Sequence, residues 1–394
     1  MIRPTRLRSA SVVTKAWLSL MVVAVAGVHS IPATARPYVP ANDTQVLAEL
    51  PAGARHAEVS ARRVARARLD VALPLAQFYI NQSRASGDLR FLGYAEAVLV
   101  SWVDAPTPDP AVLVLQATIQ QSRHEFEPAL MTLDRAIAAR RDSPQAWLTR
   151  ATVLRVMGRY AEAEQACLEF ARLADPAVGA ICRQGVLALH GNLAAAYDTL
   201  LHQPAAGMGN AENAWRDSEL GEMAVRLGND SDAERWFQRV LALSSHDFYV
   251  RAAYADLLLR QHRPAEVLVL LKGQDSIEPL LLRIAIAQRQ LRAPELAHSR
   301  TLLAAAFATE TLRGEAVHRR EQARYLLEVT AQPQQALEVA LRNWQVQREP
   351  DDALVVIDAA RAAGTPQRAA AVRDFLRAQG LRDARLVNDA ATPT

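Results

Sequence analysis

Ser245, His246 and Asp247 are the three residue types of a hydrolytic relay, and they stand side by side. A relay needs a nucleophile, a base and an orienting group whose side chains converge. Contiguous side chains diverge instead, so this run is read as a turn between helices whose aspartate caps the next one. His124-Glu125-Phe126-Glu127 is read in the same way, as a hairpin turn with solvated charges. No two histidines stand four apart around a glutamate, the spacing of a zinc-protease helix, and no glycine-rich loop cradles a phosphate. The sequence therefore predicts no catalytic residue, no metal and no cofactor, and the protein is expected not to be an enzyme. Cys167 and Cys182 are the only cysteines. They fall on adjacent predicted helices, so they form either a disulfide or two buried thiols, and two cysteines alone do not make the usual structural zinc site.

The elements that position these residues recur with a spacing near 34. Half of the 394 residues are hydrophobic and 6% aromatic, and the prevalence of Ala, Leu and Arg favours helix. After Asp104-Ala105-Pro106-Thr107-Pro108-Asp109-Pro110, a stop and restart, a small residue returns as Ala129, Ala163, Ala196, Ala233, Val267, Ala297, Ala336 and Ala369, at spacings of 34, 33, 37, 34, 30, 39 and 33. Two helices of a hairpin approach closely only where a side chain is small. Gly158, Gly191, Gly228 and Gly364 precede four of these residues and are read as left-handed caps ending first helices. Pro264, Pro294, Pro333 and Pro366 precede Val267, Ala297, Ala336 and Ala369 and are read as the first residues of second helices, where a missing N–H costs little. A period of 34 built from two helices is that of a stacked-hairpin solenoid, each unit packing on its neighbours.

The pattern resembles the tetratricopeptide repeat (TPR) family over residues 110–383, in about eight units. The unit from Pro144 carries Trp147, Gly158, Tyr160 and Ala163; the unit from Ala214 carries Leu220, Gly221, Gly228, Ala233 and Phe237; the unit from Leu113 carries Ala117, Phe126, Ala129 and Ala136. The resemblance implies an all-α fold, a right-handed α-solenoid of stacked helical hairpins (a TPR-like superhelix), holding a protein or peptide in its concave first-helix face. Register carried over from the family places Thr152, Arg155, Trp215, Glu222, Arg226, Tyr249, Asp256, Arg260, Arg289 and Tyr325 on that face. Arg226, Arg260 and Arg289 then form a stripe whose guanidinium forks suit an acidic segment or a free chain end, unless Glu222 and Asp256 pair with them and cancel the field. The Lys and Asn set by which the family holds carboxylates is absent. Trp102, Trp147, Trp236 and Trp344 are read as core, with Trp215 near the groove mouth.

Residues 1–35 read as an export signal: Arg3, Arg6, Arg8 and Lys15, then an apolar run from Ala16 to Val28, then Ala33-Thr34-Ala35. The apolar run is shorter than a spanning helix needs. Residues 36–57, with Pro37, Pro40 and Pro51, read as a flexible lead-in, residues 58–104 as an irregular helical hairpin covering the end of the array, and residues 384–394 as a disordered tail. The formal charge of +3 rests on the signal; without its four basic residues the chain holds 41 basic against 42 acidic residues, or −1. That balance gives no reason to expect nucleic acid. The arginine-rich stretch Arg55–Arg68 reads as a solvated helix face. The expected function is a periplasmic scaffold or adaptor for a protein or peptide. The competing readings are a membrane-anchored assembly factor keeping residues 1–30 and an RNA-binding helical repeat.

Overall fold

The computed structural model describes residues 64–66, 68–203, 207–313 and 317–389; the signal, the lead-in and most of the arginine-rich stretch lie outside the described residues. Every described element is a helix. None is long and apolar enough to cross a membrane.

The chain begins with α1 (Leu69–Ser86) and α2 (Arg90–Val103), whose packed faces form a small core of their own with Val112, Leu115 and Ile119. Eight hairpins follow: α3 (Pro110–Ser122) with α4 (Phe126–Ala139), α5 (Pro144–Val156) with α6 (Tyr160–Leu173), α7 (Pro176–Leu187) with α8 (Leu193–Leu201), and α9 (Asn210–Leu227) with α10 (Asp230–Leu243). Then come α11 (Phe248–Arg260) with α12 (Pro264–Leu270), α13 (Glu278–Leu291) with α14 (Leu296–Arg313), α15 (Arg319–Arg324) with α16 (Pro333–Trp344), and α17 (Pro350–Ala362) with α18 (Ala370–Ala378). First helices start on paired signals: Asp109, Ser143 and Asp175 cap with their side chains and are followed by Pro110, Pro144 and Pro176, a proline whose missing N–H is one the first turn leaves unbonded anyway.

Two features recur in all eight hairpins. The fourth residue of each second element, counting the 3-10 turn Pro366–Ala369 that leads into α18, is buried: Ala129, Ala163, Ala196, Ala233, Val267, Ser299, Ala336 and Ala369. A residue of positive φ stands in the corner between the two helices of each: His124, Gly158, Gly191, Gly228, His262, Arg292, Ala331 and Gly364. Glycine adopts this conformation freely and other residues at a cost of roughly 1–2 kcal/mol. That is why glycine alone announced the corner in sequence, while two histidines, an arginine and an alanine occupy it unannounced.

The column corrects one position. Ala297 is exposed, and Ser299 takes the packed place at 4% exposure. Pro264 and Pro333 open α12 and α16 as expected, but Pro294 lies in a turn and α14 starts two residues later, at Leu296. The fourth position slips with it.

Among the tryptophans, Trp236 and Trp344 are buried. Trp102 and Trp147 are half-buried, their indole N–H groups donating to the carbonyls of Ala65 and Arg141. The expected tail from residue 384 begins instead with a 3-10 turn, Ala384–Asp389.

The hairpins do not stack as an open row. One hydrophobic core joins Leu154, Tyr160 and Phe170 of the front units to Leu337, Val356 and Val372 of the last two. The contact runs along the left-handed corners. Arg348 N–H donates to the Val156 carbonyl at 2.8 Å, and a Cβ on Gly158 would lie 2.7 Å from Phe375. Gly191 meets Gly380, and His190 shares a hydrogen bond with Gln379 at 2.9 Å. Gly228 meets Ala384. Each corner offers backbone with little side chain, and the returning end of the superhelix lies across three of them.

Candidate functional site

The closed superhelix surrounds a cavity of about 1730 Å³ lined by residues from Ser83 to Arg385. Arg155, Trp215, Glu222, Arg226, Tyr249, Asp256 and Arg260 line it, as does Thr152. Arg289 and Tyr325 do not. The Arg289 guanidinium donates to the Glu328 carbonyl, and Tyr325 is buried with its hydroxyl donating to the Arg300 carbonyl at 3.3 Å. Tyr325 opens a π-helical turn, Tyr325–Val329, directly after α15.

Most of the cavity's arginines are already partnered. Arg155 of α5 bridges to two carboxylates of α9, Glu219 at 2.5 Å and Glu222 at 3.4 Å. Tyr249 of α11 donates to Glu222 at 2.5 Å, and the Trp215 indole to Glu219 at 3.4 Å. Arg226 is buried, and its guanidinium donates to the Ala188 carbonyl at 2.8 Å. Arg260 pairs with Asp230. The stripe of three open forks is thus absent: Arg226 braces the backbone, Arg260 is paired, and Arg289 is outside the cavity.

A second chain of charges crosses the opposite wall. Asp256 of α11 accepts from Arg283 of α13 at 2.7 Å and lies 2.9 Å from Arg324 of α15. Arg283 approaches Glu321 at 3.6 Å, Glu321 approaches Arg320 at 3.6 Å, and Arg320 reaches Glu349 at 3.4 Å. Arg385, in the chain end read from sequence as a tail, holds Asp351 at 2.7 Å. Opposite charges thus link α11, α13, α15, α17 and the returning chain end. Buried pairs of this kind gain little stability over apolar packing, but breaking one strands its partner.

Proton affinities follow this geometry. Burial, then the neighbouring Glu219 charge, raises the Glu222 carboxyl to about 7 against the opposing pull of Arg155. The Glu222 charge, followed by burial, drives the Tyr249 hydroxyl well above its ordinary value. Burial pushes Glu321 up, but Arg320 and Arg283 together outweigh it and hold that carboxyl at about 2. Burial likewise opposes ionisation of Asp256, where Arg283 and Arg324 prevail and lower it.

Arg283, Arg320, Arg324, Arg385 and Glu219 were not singled out from sequence. Arg283 carries the clearest missed signal: it interrupts the apolar run from Leu280 to Ala287, where an unpaired charge would be costly. Cys167 of α6 and Cys182 of α7 form a disulfide, with an S–S distance of 2.04 Å and Cα atoms 5.6 Å apart. Asp247 caps α11, its side chain accepting from Val250 N–H at 3.0 Å, while Ser245 contacts His246 at 2.9 Å on the exposed turn. The aspartate is turned to backbone, and no relay forms in this run.

No protein-family model and no curated protein matches the chain. Among solved structures it is similar to one from the functional characterisation of PilF from Pseudomonas aeruginosa, at 16% identity over 63% of this chain and 94% of that one, with a TM-score of 0.30. It is also similar to a tetratricopeptide repeat protein from Parabacteroides merdae, at 11% identity over 79% and 98%, with a TM-score of 0.34. A packed residue at the fourth position of the second element, a left-handed corner before it and the period near 34 are all present in the coordinates. The fold is an all-α solenoid.

Proposed function

We propose that the protein is a non-catalytic scaffold or adaptor of the bacterial envelope that holds a protein or peptide segment in its central cavity. The observation that carries this reading is the cavity itself: about 1730 Å³, lined largely by first helices of successive units, with Trp215, Phe248 and Tyr249 among paired charges. Aromatic surface beside satisfied polar groups suits a peptide backbone with mixed side chains. Most guanidiniums on the wall have an internal carboxylate partner, so a guest carboxylate must compete there, whereas Arg84 lines the cavity without one among the described residues and the buried Arg226 Nη2 has no hydrogen-bond partner. The balance of charge also supports a peptide guest over RNA, which would call for an unneutralised basic surface. Residues 1–35, read as a signal, and the Cys167–Cys182 disulfide, which suits an oxidising compartment, support the periplasmic address.

A photo-reactive amino acid placed at Tyr249, on the cavity wall, and separately at Met131, exposed elsewhere, tests the reading in living cells. A discrete cross-linked partner from Tyr249 alone is expected. Equal capture from both positions, or capture from Met131 only, would refute it. N-terminal sequencing of the mature chain tests the address, with a start at Arg36 expected. Retention on immobilised RNA at physiological salt would favour the nucleic-acid reading instead.

A further inference from the structure

We propose that Glu278, Glu310 and His318 form a binding site for a first-row divalent transition metal of the zinc type. The three residues come from different places: Glu278 is the first residue of α13, Glu310 lies in the last turn of α14, and His318 immediately precedes α15. One ligand atom of each lies within 4.8 Å of the others. His318 Nδ1 is 2.5 Å from a Glu310 carboxylate oxygen and 3.2 Å from Glu278 Oε1.

The decisive observation is what one proton cannot do there. A single Nδ1–H donates well to one oxygen, and Glu310 is the nearer. Glu278 Oε1 is then a buried carboxylate oxygen with no hydrogen-bond donor. Among the described side chains no arginine or lysine pairs with either glutamate, and two carboxylates face one imidazole. A divalent ion satisfies all three at once. Imidazole nitrogen with carboxylate oxygen is the donor set of zinc and its neighbours rather than of magnesium or calcium, which take oxygen alone. Bonds near 2.0–2.2 Å place tetrahedral ligands about 3.3 Å from one another, so His318 and Glu310 open from 2.5 Å while His318 and Glu278 stay near their observed 3.2 Å. His318 also lines the central cavity, which Glu278 and Glu310 do not. On the same wall stands His124, whose Nδ1 is buried without a hydrogen-bond partner. The sequence concealed the site because positions 278, 310 and 318 share no helical spacing.

Calorimetric titration of the untagged, chelator-stripped full chain tests the site, with zinc, manganese and magnesium chlorides as probes. One zinc ion per chain is expected, with manganese weaker and magnesium without measurable heat. Glu310→Gln and His318→Ala should each weaken zinc binding about tenfold or more while leaving the helical circular dichroism unchanged. His246→Ala, on an exposed turn, should leave it unaltered. If His318→Ala fails to fold, the nearly isosteric Glu310→Gln decides. Absence of stoichiometric zinc binding would reduce the cluster to an ion pair and overturn the proposal, as would binding that survives either substitution.

Discussion

The hydroxyl of Tyr160 donates to the backbone carbonyl of Arg348 at 2.9 Å, across a separation of 188 residues. Tyr160 opens the second helix of the second hairpin, and Arg348 lies just before the last hairpin begins. This bond ties the two ends of the superhelix together. It converts an array that would be additive, unit by unit, into one in which front and back hairpins share a core.

Closure predicts unequal costs for equal strain. Gly158 and Gly364 both have positive φ, 74° and 69°, so alanine at either should lose roughly 1–2 kcal/mol. A Cβ at Gly158 would also meet Phe375 at 2.7 Å and Arg348 at 3.0 Å, whereas one at Gly364 meets nothing within 4 Å. Gly158→Ala should therefore cost about 1–3 kcal/mol more than Gly364→Ala by overpacking, measured by urea unfolding. Matching losses would mean that the ends do not meet in solution.

The slipped register makes a sharp pair. Ser299→Arg buries a charge at the hairpin crossing and should cost several kcal/mol. Ala297→Arg, two residues earlier on exposed surface, should change stability by no more than about 0.5 kcal/mol. Thermal denaturation of both variants checks the assignment, and the reverse order would restore Ala297 to the packed column.

Glu222 gives the cavity a pH signature. Its carboxyl stands near 7 in the folded protein and near 4.3 in an unfolded chain. Between those values the folded state holds a proton that the unfolded state has released, so this contribution is full below about pH 4.3 and is lost as pH rises through 7. Glu222→Gln removes it. Unfolding free energies of the two proteins should diverge by about 2–3 kcal/mol between pH 5 and 8, in favour of the variant at the higher pH. Parallel pH profiles would show that the cavity leaves Glu222 hydrated and unshifted.

The disulfide closes a loop with a sequence separation of 15, for which chain entropy assigns about 3 kcal/mol. Reductant, or replacement of Cys167 and Cys182 by alanine, should lower the melting temperature of the native protein. An unchanged melting temperature under reductant would place the two sulfurs apart in solution.

Much of the local architecture was legible in residue types. Asp109-Pro110, Ser143-Pro144 and Asp175-Pro176 mark helix starts because a capping oxygen and a fixed φ act within one turn. Ala163 and Phe237 sit where the repeat predicts because a hairpin's two helices are joined by a short corner and must interlock locally. Gly221 shows the same constraint, since a Cβ there would meet the Phe237 ring at 2.5 Å. The corner was half-visible, since Gly158 and Gly228 advertise positive φ while His124 and Ala331 hold it against their own preference.

The cavity residues show where that legibility stops. Arg226 had the right position and the wrong role: a guanidinium reads alike in sequence whether it faces a guest or the Ala188 carbonyl. Sequence by itself determined the helical hairpin, its period and the line of small residues, all set by contacts a few turns apart. The tertiary structure alone decided that Arg348 and Phe375 return to Tyr160 and Gly158, which arginines meet which carboxylates, and that Glu278, Glu310 and His318 converge. Those depend on the small rotation each hairpin adds to the last, which accumulates over the whole superhelix and leaves no mark in any single unit.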